Sequence, residues 1–215
     1  MKRREFLKGA AIVPASVAAS RWSAIAEKLG AGQSKITAVV YDERYADCRM
    51  FADALVRRGA VSFATGGDVV SIWYGALRDH LSRFGGSVAG MTTDADLSAS
   101  RECGRELGLR IVYEGSHDGR VPGRLQHHLR GRDEANAVYG ALLRGDESWA
   151  ESIAEGLASP TLTEQIIEAV AGSSSVTTPR PAGYRGYLTS WLLRANRRED
   201  SALEPVASAV RAPRE

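Results

Sequence analysis

Short β-branched segments alternate with longer segments of helical periodicity between residues 36 and 113, and this alternation constrains the fold more than any other feature. The predicted strands are Ile36–Tyr41, Val61–Ala64, Ser87–Met91 and Arg110–Tyr113. Each intervening helical segment ends in glycine, at Gly59, at Gly85 and at Gly108. Strands joined by single helices run parallel with right-handed crossovers. The sequence therefore predicts an α/β fold with a small open, mainly parallel sheet and flanking helices.

The second half of the chain has a different pattern, which predicts a helical C-terminal portion after the α/β core (36–118). Its helical extension (119–171) contains three amphipathic segments: Asp133–Leu143, Glu147–Leu157 and Leu162–Ala171. Residues 172–183 are rich in Ser, Thr and Pro, which predicts a flexible linker. Residues 184–194 are apolar enough to add a last strand to the sheet, and a charged, frayed tail (195–215) follows.

The N-terminal residues 1–26 have the layout of a signal peptide, and residues 27–35 are a linker to the core. Four basic residues precede an uncharged segment, Gly9–Ser20, and Ala24-Ile25-Ala26 provides small residues for cleavage after Ala26. The uncharged segment has 12 residues, whereas a membrane-spanning helix needs roughly 20. We therefore expect cleavage and no stable membrane insertion; an uncleaved signal acting as a membrane tether is the weaker alternative.

The basic start of this segment contains a specific motif, Arg3-Arg4-Glu5-Phe6-Leu7-Lys8. It resembles the twin-arginine (Tat) export signal, whose arginine pair is followed by any residue and then by Phe-Leu-Lys. Arg3, Arg4, Phe6 and Leu7 carry the resemblance, while Lys2 stands where the motif usually has Ser or Thr. The resemblance covers only the first tenth or so of the chain. It implies export of a folded protein to the periplasm or beyond, with the twin-arginine translocase and a signal peptidase as partners.

The charge of the chain depends on whether this segment is removed. The whole chain has 28 basic and 26 acidic side chains, a net charge of +2. Residues 27–215 retain 23 basic and 25 acidic side chains, a net charge of −2. The positive excess therefore belongs to the export signal, and the sequence does not support a nucleic-acid partner.

Standard catalytic and cofactor motifs are absent from the sequence. It has no G-x-G-x-x-G, P-loop, C-x-x-C, H-E-x-x-H or G-x-S-x-G pattern. These absences argue against the usual dinucleotide-binding proteins, NTPases, thioredoxin-like proteins and α/β-hydrolases. The sequence does not identify a cofactor.

The carboxyl ends of the predicted parallel strands form the candidate ligand site, because loops and helix N-termini converge there in open sheets. The residues expected there are Asp42, Arg44, Gly66, Gly67, Asp68, Thr92 and Thr93. Alternatively, Asp68 and Thr93 only cap helices and the two glycines only form a turn.

Glu114 and His117 follow the fourth predicted strand and are the candidate acid/base pair. The alternative is a solvated loop. His127 and His128 lie near His117 in sequence, but adjacent residues on a helix point to different sides, so no metal site is predicted. Cys48 and Cys103 lie on apolar helical faces, which favours buried free thiols over a disulfide.

Two functions are compatible with these residues. The first is a non-catalytic binding or accessory protein in the periplasm, which serves a redox enzyme there or binds a small anionic ligand at the strand ends. The second is a small periplasmic hydrolase or isomerase-like enzyme that uses Glu114 and His117. Export and the absent catalytic motifs favour the first.

Overall fold

The computed structural model describes residues 35–131, 133–145, 148–159, 173–181, 184 and 186–195. In chain order these residues form β1 (Ile36–Tyr41), α1 (Ala46–Val56), β2 (Val61–Ala64), α2 (Val69–Tyr74), α3 (Ala76–Phe84), β3 (Ser87–Thr92), α4 (Asp94–Glu106), β4 (Leu109–Asp118), β5 (Arg124–Gly131), α5 (Asp133–Arg144), α6 (Trp149–Ala158), β6 (Ser173–Pro179) and β7 (Tyr187–Ala195). In this part of the chain, no helix is long and apolar enough to cross a membrane.

The strands form one sheet in the order β2-β1-β3-β7-β4-β5-β6. The α/β prediction is confirmed, whereas the prediction of a mainly parallel sheet is wrong. Only the pairings of β1 with β2 and with β3 are parallel, and the four remaining pairings are antiparallel. The α/β alternation correctly describes the start of the chain, but antiparallel pairings, most of them between distant segments, form the rest of the sheet.

The position of β7 accounts for much of this difference. This strand was expected as a last addition to the sheet, but it lies between β3 and β4, with Leu192 opposite both Ala89 and Tyr113. β4 therefore runs in the same direction as β3 without pairing with it. The close packing requires glycine at position 90, because a Cβ there would overlap the Trp191 ring.

The segments expected to be a helical extension and a linker also contribute strands. Residues 124–131 form β5, which pairs with β4, and residues 173–179 form β6, which pairs with β5. Val176, Thr177 and Thr178 are β-branched and favour a strand, and pairing with β5 outweighs the loop signal of the serines and the proline. Of the helices predicted in the extension, two correspond to α5 and α6. The third (162–171), the signal segment with most of its linker (1–34) and the tail after Ala195 lie outside the described residues.

Two apolar clusters lie on opposite faces of the sheet. On one face, α1, α5 and α6 cover a cluster that includes Phe51, Tyr113 and Ile153. On the other face, α2, α3 and α4 cover a cluster that includes Trp73 and Trp191. The sequence predicts one continuous helix from about Asp68 to Phe84, but two helices form with Gly75 between them.

Candidate functional site

The loop after β1 contains Asp42, which is fully buried, and Arg44, which is exposed. Arg44 donates two side-chain hydrogen bonds to Asp42, from Nε to Oδ1 (2.9 Å) and from Nη2 to Oδ2 (2.6 Å). Burial raises the pKa of Asp42, but these bonds and one from the Arg44 backbone outweigh it, so the pKa is lowered overall. Arg44 is therefore already paired and is not a free cation for a ligand.

The loop after β2 contains Gly66 and Gly67, whose φ angles of 57° and 82° favour glycine. The N–H of Gly66 donates to Oε2 of Glu43 (3.2 Å), so a carboxylate of the protein lies where an anionic ligand would bind. Asp68 accepts a hydrogen bond from the Ser71 N–H (3.1 Å) and caps α2. The capping role proposed for Asp68 is therefore the one that the structure shows.

Thr92 and Thr93, at the end of β3, also form hydrogen bonds within the protein. The buried Thr92 Oγ1 accepts from Trp191 Nε1 (3.1 Å), and Thr93 Oγ1 accepts from the Asp96 N–H (3.3 Å), which caps α4. Segments 42–49, 65–68 and 92–96 together carry six acidic and two basic side chains. These three segments form a rim that contains all seven predicted ligand residues, but its charge and its internal hydrogen bonds oppose a small anion.

The structure does not bring Glu114 and His117 together, and neither lies in a loop. Both belong to β4, where residues three positions apart point to opposite faces. Glu114 binds Arg101 of α4 through a 2.7 Å ion pair, whereas His117 is fully buried on the other face. The prediction that Glu114 and His117 form an acid/base pair is therefore wrong. β4 extends through Asp118, and the strand places the two side chains on opposite faces of the sheet.

A buried chain of five side chains, which we call the histidine chain, links β4, β5, β6 and β7. Tyr113 Oη lies 3.0 Å from Ser190 Oγ, which lies 2.8 Å from His117 Nε2. His117 Nδ1 lies 2.8 Å from His127 Nδ1, and His127 Nε2 lies 2.9 Å from Thr178 Oγ1. Gly115 makes room for the chain, since a Cβ there would overlap the Tyr113 and Ser190 hydroxyl groups.

The contact between the two Nδ1 atoms restricts the protonation of the histidine pair. One ring must donate its Nδ1–H and the other must accept it, so protons on both Nδ1 atoms would face each other. Burial lowers the pKa of both rings: that of His117 lies well below its ordinary value, and that of His127 falls to about 4. The neighbouring rings of His127 and His128 lower the pKa of His117 further. The His128 ring also lowers the pKa of His127. Both rings are therefore neutral at pH 7.

Aromatic side chains pack over the histidine pair. The Trp149 ring of α6 lies 4.9 Å from the His117 ring and 5.4 Å from the His127 ring, between centroids. Tyr184 Oη donates to the backbone oxygen of His117 (3.0 Å). His117, His127 and Ser190 have no exposed surface.

Serine nucleophiles are activated when the hydroxyl is hydrogen-bonded to one histidine nitrogen and a third group is hydrogen-bonded to the other. Ser190, His117 and His127 have this arrangement. In this protein Ser190 is fully buried and is also bonded to Tyr113. A substrate cannot reach Ser190 Oγ in this arrangement. The histidine chain therefore satisfies buried polar groups and joins four strands.

The sequence did not predict that five residues would form or cover a buried site with His117: Tyr113, His127, Trp149, Thr178 and Ser190. One signal was present in residues 124–130, where leucines at 125 and 129 alternate with polar residues. That period of two predicts a strand with His127 facing inward and His128 outward. Ser190 carried no comparable signal, because its partner is 73 positions away.

The remaining predicted groups have clear positions. Cys48 and Cys103 are free and buried, in clusters on opposite faces of the sheet, so their thiols cannot meet. Among the residues that the structure describes, no group of three or more His, Cys, Asp or Glu side chains could hold a metal ion.

Comparisons with protein-family models, with curated proteins and with solved structures found no match.

Proposed function

We propose that this protein is exported by the twin-arginine route, is cleaved after Ala26, and acts in the periplasm or outside the cell as a non-catalytic accessory protein. The motif at residues 3–8 and the small residues at 24–26 support export, with the translocase and signal peptidase as partners. A periplasmic enzyme is the proposed partner of the cleaved protein.

Export is tested by cell fractionation and N-terminal sequencing. The wild-type protein should reach the periplasm with Glu27 as its first residue, and the double variant Arg3→Lys/Arg4→Lys should stay in the cytoplasm. Lys2→Ser is the matched control, since it restores the residue usual in this motif and should leave export intact. Equal export of the double-lysine variant, or a periplasmic protein that begins at Met1, would contradict the proposal.

The accessory role depends mainly on one observation, an exposed apolar patch at the β2 edge of the sheet. This edge patch comprises Val61, Phe63, His80 and Phe84. Val61 is 46% exposed and Phe84 is 68% exposed. The His80 ring lies 5.7 Å from Phe63 and 5.0 Å from Phe84, between centroids, so the side chains form one surface.

An apolar surface of this kind suits a partner protein better than a small polar ligand. Among the described strands, β2 pairs only with β1 and has four residues, so it offers few backbone hydrogen bonds to another strand. Side chains would therefore supply most of the binding energy. Fully burying a Phe contributes about 1.5 to 3 kcal/mol, which makes Phe84 the expected anchor. The rim after β1–β3 is less suited to a ligand, because Glu43 already occupies the Gly66 N–H.

Docking is tested with a photo-crosslinking amino acid at position 84, followed by affinity measurements with the purified partner. Phe84→Ser should weaken binding of that partner about 10- to 100-fold, in line with the loss of a buried Phe. Arg83→Gln, one residue away, should not change it. Crosslinks only to a second copy of this chain, or none at all, would refute the docking role without affecting export. Turnover of a substrate by the purified protein alone would refute the non-catalytic role.

A further inference from the structure

One face of the antiparallel part of the sheet has no helix over it in the described structure. On β4, β5 and β6 the helices α5 and α6 cover the face that contains the histidine chain. The opposite face is covered by α2, α3 and α4 only as far as β7 and the start of β4. Every second side chain of β5 is therefore exposed, in the pattern set by the period of a strand.

The side chains that these strands place on this face form what we call the open face. Those on β5 and β6 are exposed: Arg124, Gln126, His128 and Arg130 on β5, and Ser173, Ser175, Thr177 and Pro179 on β6. Those on β4 are half-buried: Glu114, Ser116 and Asp118. The pairing places Gln126 opposite Thr177, His128 opposite Ser175, and Arg130 opposite Ser173. Cationic and amide groups thus lie beside a row of hydroxyl groups.

The carboxylates of the open face are neutralised by neighbouring arginines. Glu114 binds Arg101 (2.7 Å), and Asp118 binds Arg120 (2.5 Å). No ion pair involves Arg124 or Arg130 within the described part of the chain. Glu114 lies opposite Arg130 in the β4–β5 pairing but is paired with Arg101, so both β5 arginines remain available to a ligand. The two lie six residues apart on β5, roughly 20 Å along the strand.

This spacing and chemistry select the ligand. A small anion would reach only one of the two arginines, whereas an extended polyanion would reach both. Within the described residues, β4, β5 and β6 expose no large apolar side chain on this face; Pro179, at the end of β6, is exposed there but is smaller than the aromatic anchors of protein interfaces. Tyr187 is an exposed aromatic side chain at one end of this face. One aromatic ring does not provide the repeated stacking that binds single-stranded nucleic acids. Hydroxyl, amide and imidazole groups suit a ligand that is itself rich in hydroxyl groups.

We propose that the open face binds an extended anionic polysaccharide along β5, with Arg124 and Arg130 pairing with its carboxylate groups. Ser175, Thr177 and Gln126 form hydrogen bonds with its hydroxyl groups. His128, whose Nδ1 lies 2.8 Å from Ser175 Oγ, orients that hydroxyl. This site is separate from the edge patch and goes beyond the proposed accessory role.

The test is titration of residues 27–215 and of the full chain with polygalacturonate, followed by fluorescence anisotropy or calorimetry. Neutral dextran, single-stranded oligothymidylate and polyglutamate are the comparison ligands. We expect saturable binding of polygalacturonate that weakens as salt rises, and at least 10-fold weaker binding of the other three. Arg124→Gln/Arg130→Gln should weaken polygalacturonate binding at least 10-fold. Arg83→Gln removes one positive charge from α3 and should not change polygalacturonate binding.

Further variants separate hydrogen bonding from charge. Ser175→Ala/Thr177→Ala leaves the charge unchanged and should weaken polygalacturonate binding about 3- to 10-fold at any salt concentration, with unchanged circular dichroism. Three outcomes would overturn the proposal: no binding of polygalacturonate, binding that all the variants leave intact, or equal binding of oligothymidylate or polyglutamate. The last would show an unselective polyanion surface or a different class of partner.

Discussion

The two halves of the sheet differ in how they are covered. In the parallel half (β2, β1 and β3), helices pack on both faces, and all six residues of β3 are buried. In the antiparallel half (β4, β5 and β6), the helices that the structure describes pack on one face, and buried and exposed residues alternate along β5. The difference shows why the two halves suit different roles, since only a face without helices presents a row of polar side chains to a ligand.

The largest expected effect is at the junction between the halves. Trp191 of β7 packs against Gly90 of β3 and donates to Thr92. Trp191→Ala should lower the free energy of unfolding by about 4 kcal/mol, because it leaves a cavity and removes the donor to the buried Thr92 hydroxyl. Tyr187→Ala, an exposed position on the same strand, should change it by less than about 1 kcal/mol. Urea denaturation measures both, and similar losses would mean that β7 does not join the halves through Trp191.

The second prediction concerns pH. Since the pKa of His127 is about 4 in the folded protein and near 6.5 when unfolded, the unfolded state binds more protons between these values. Stability should therefore be fully present above pH 6.5 and fall as the pH drops toward 4, by about 2 kcal/mol at pH 5 from His127 alone. The lowered pKa of His117 acts in the same direction.

Denaturation curves at pH 7, 6 and 5 test this. The pKa values of Asp42 and Asp118 are lowered, so these carboxyl groups titrate below this window. The raised pKa of Asp47 works in the opposite direction. His127→Leu should reduce the pH dependence. An identical slope in the variant would show that His127 is not the group that titrates.

Two adjacent histidines of β5 lie on different faces of the sheet: His127 on the covered face and His128 on the open face. His127→Leu should destabilise the protein by about 1.5 kcal/mol at pH 7, because His117 Nδ1 and Thr178 Oγ1 lose their partner. His128→Leu, one residue away on the open face, should change stability by about 0.5 kcal/mol or less. Equal losses would place the two rings in similar surroundings and contradict the alternation of β5.

The smallest effect is expected from a reductant. Cys48 and Cys103 lie on opposite faces of the sheet, so titration of the denatured, unreduced protein should count two thiols. Adding a reductant should not shift the unfolding midpoint. A count of zero thiols would require the two helices that contain these residues to pack on the same face.

The amount of structure that could be predicted differs between regions for a physical reason. Strands β1 to β3 follow from local apolar segments and glycine-terminated helices, so their positions were predicted closely. Residues 124–130 have a clear period of two that a helical interpretation overlooked. The Ser-Thr-Pro segment has the composition of a loop apart from its β-branched residues, and it forms β6 because β5 provides hydrogen-bond partners.

The candidate site residues also divide into those whose partners are close in sequence, which could be predicted, and those whose partners are distant, which could not. Asp68 and Thr93 cap their helices as a local pattern predicts, because a cap and its N–H partner lie within three residues. The partner of His117 could not be predicted, since Ser190 reaches it only through the central position of β7. The local pattern places Glu114 after the end of a strand, but β4 continues through Asp118 and turns Glu114 toward Arg101.

The sequence by itself determined the α/β class, the helix caps and the reduced thiols, because each depends on spacing within a few residues or on burial of an apolar face. It also contains the motif from which export is proposed. Only the tertiary structure decided that β7 is central, that the histidines are enclosed, and that one face of β4 to β6 is open. These features depend on pairing between distant segments, where many registers are compatible with the local pattern and packing selects one.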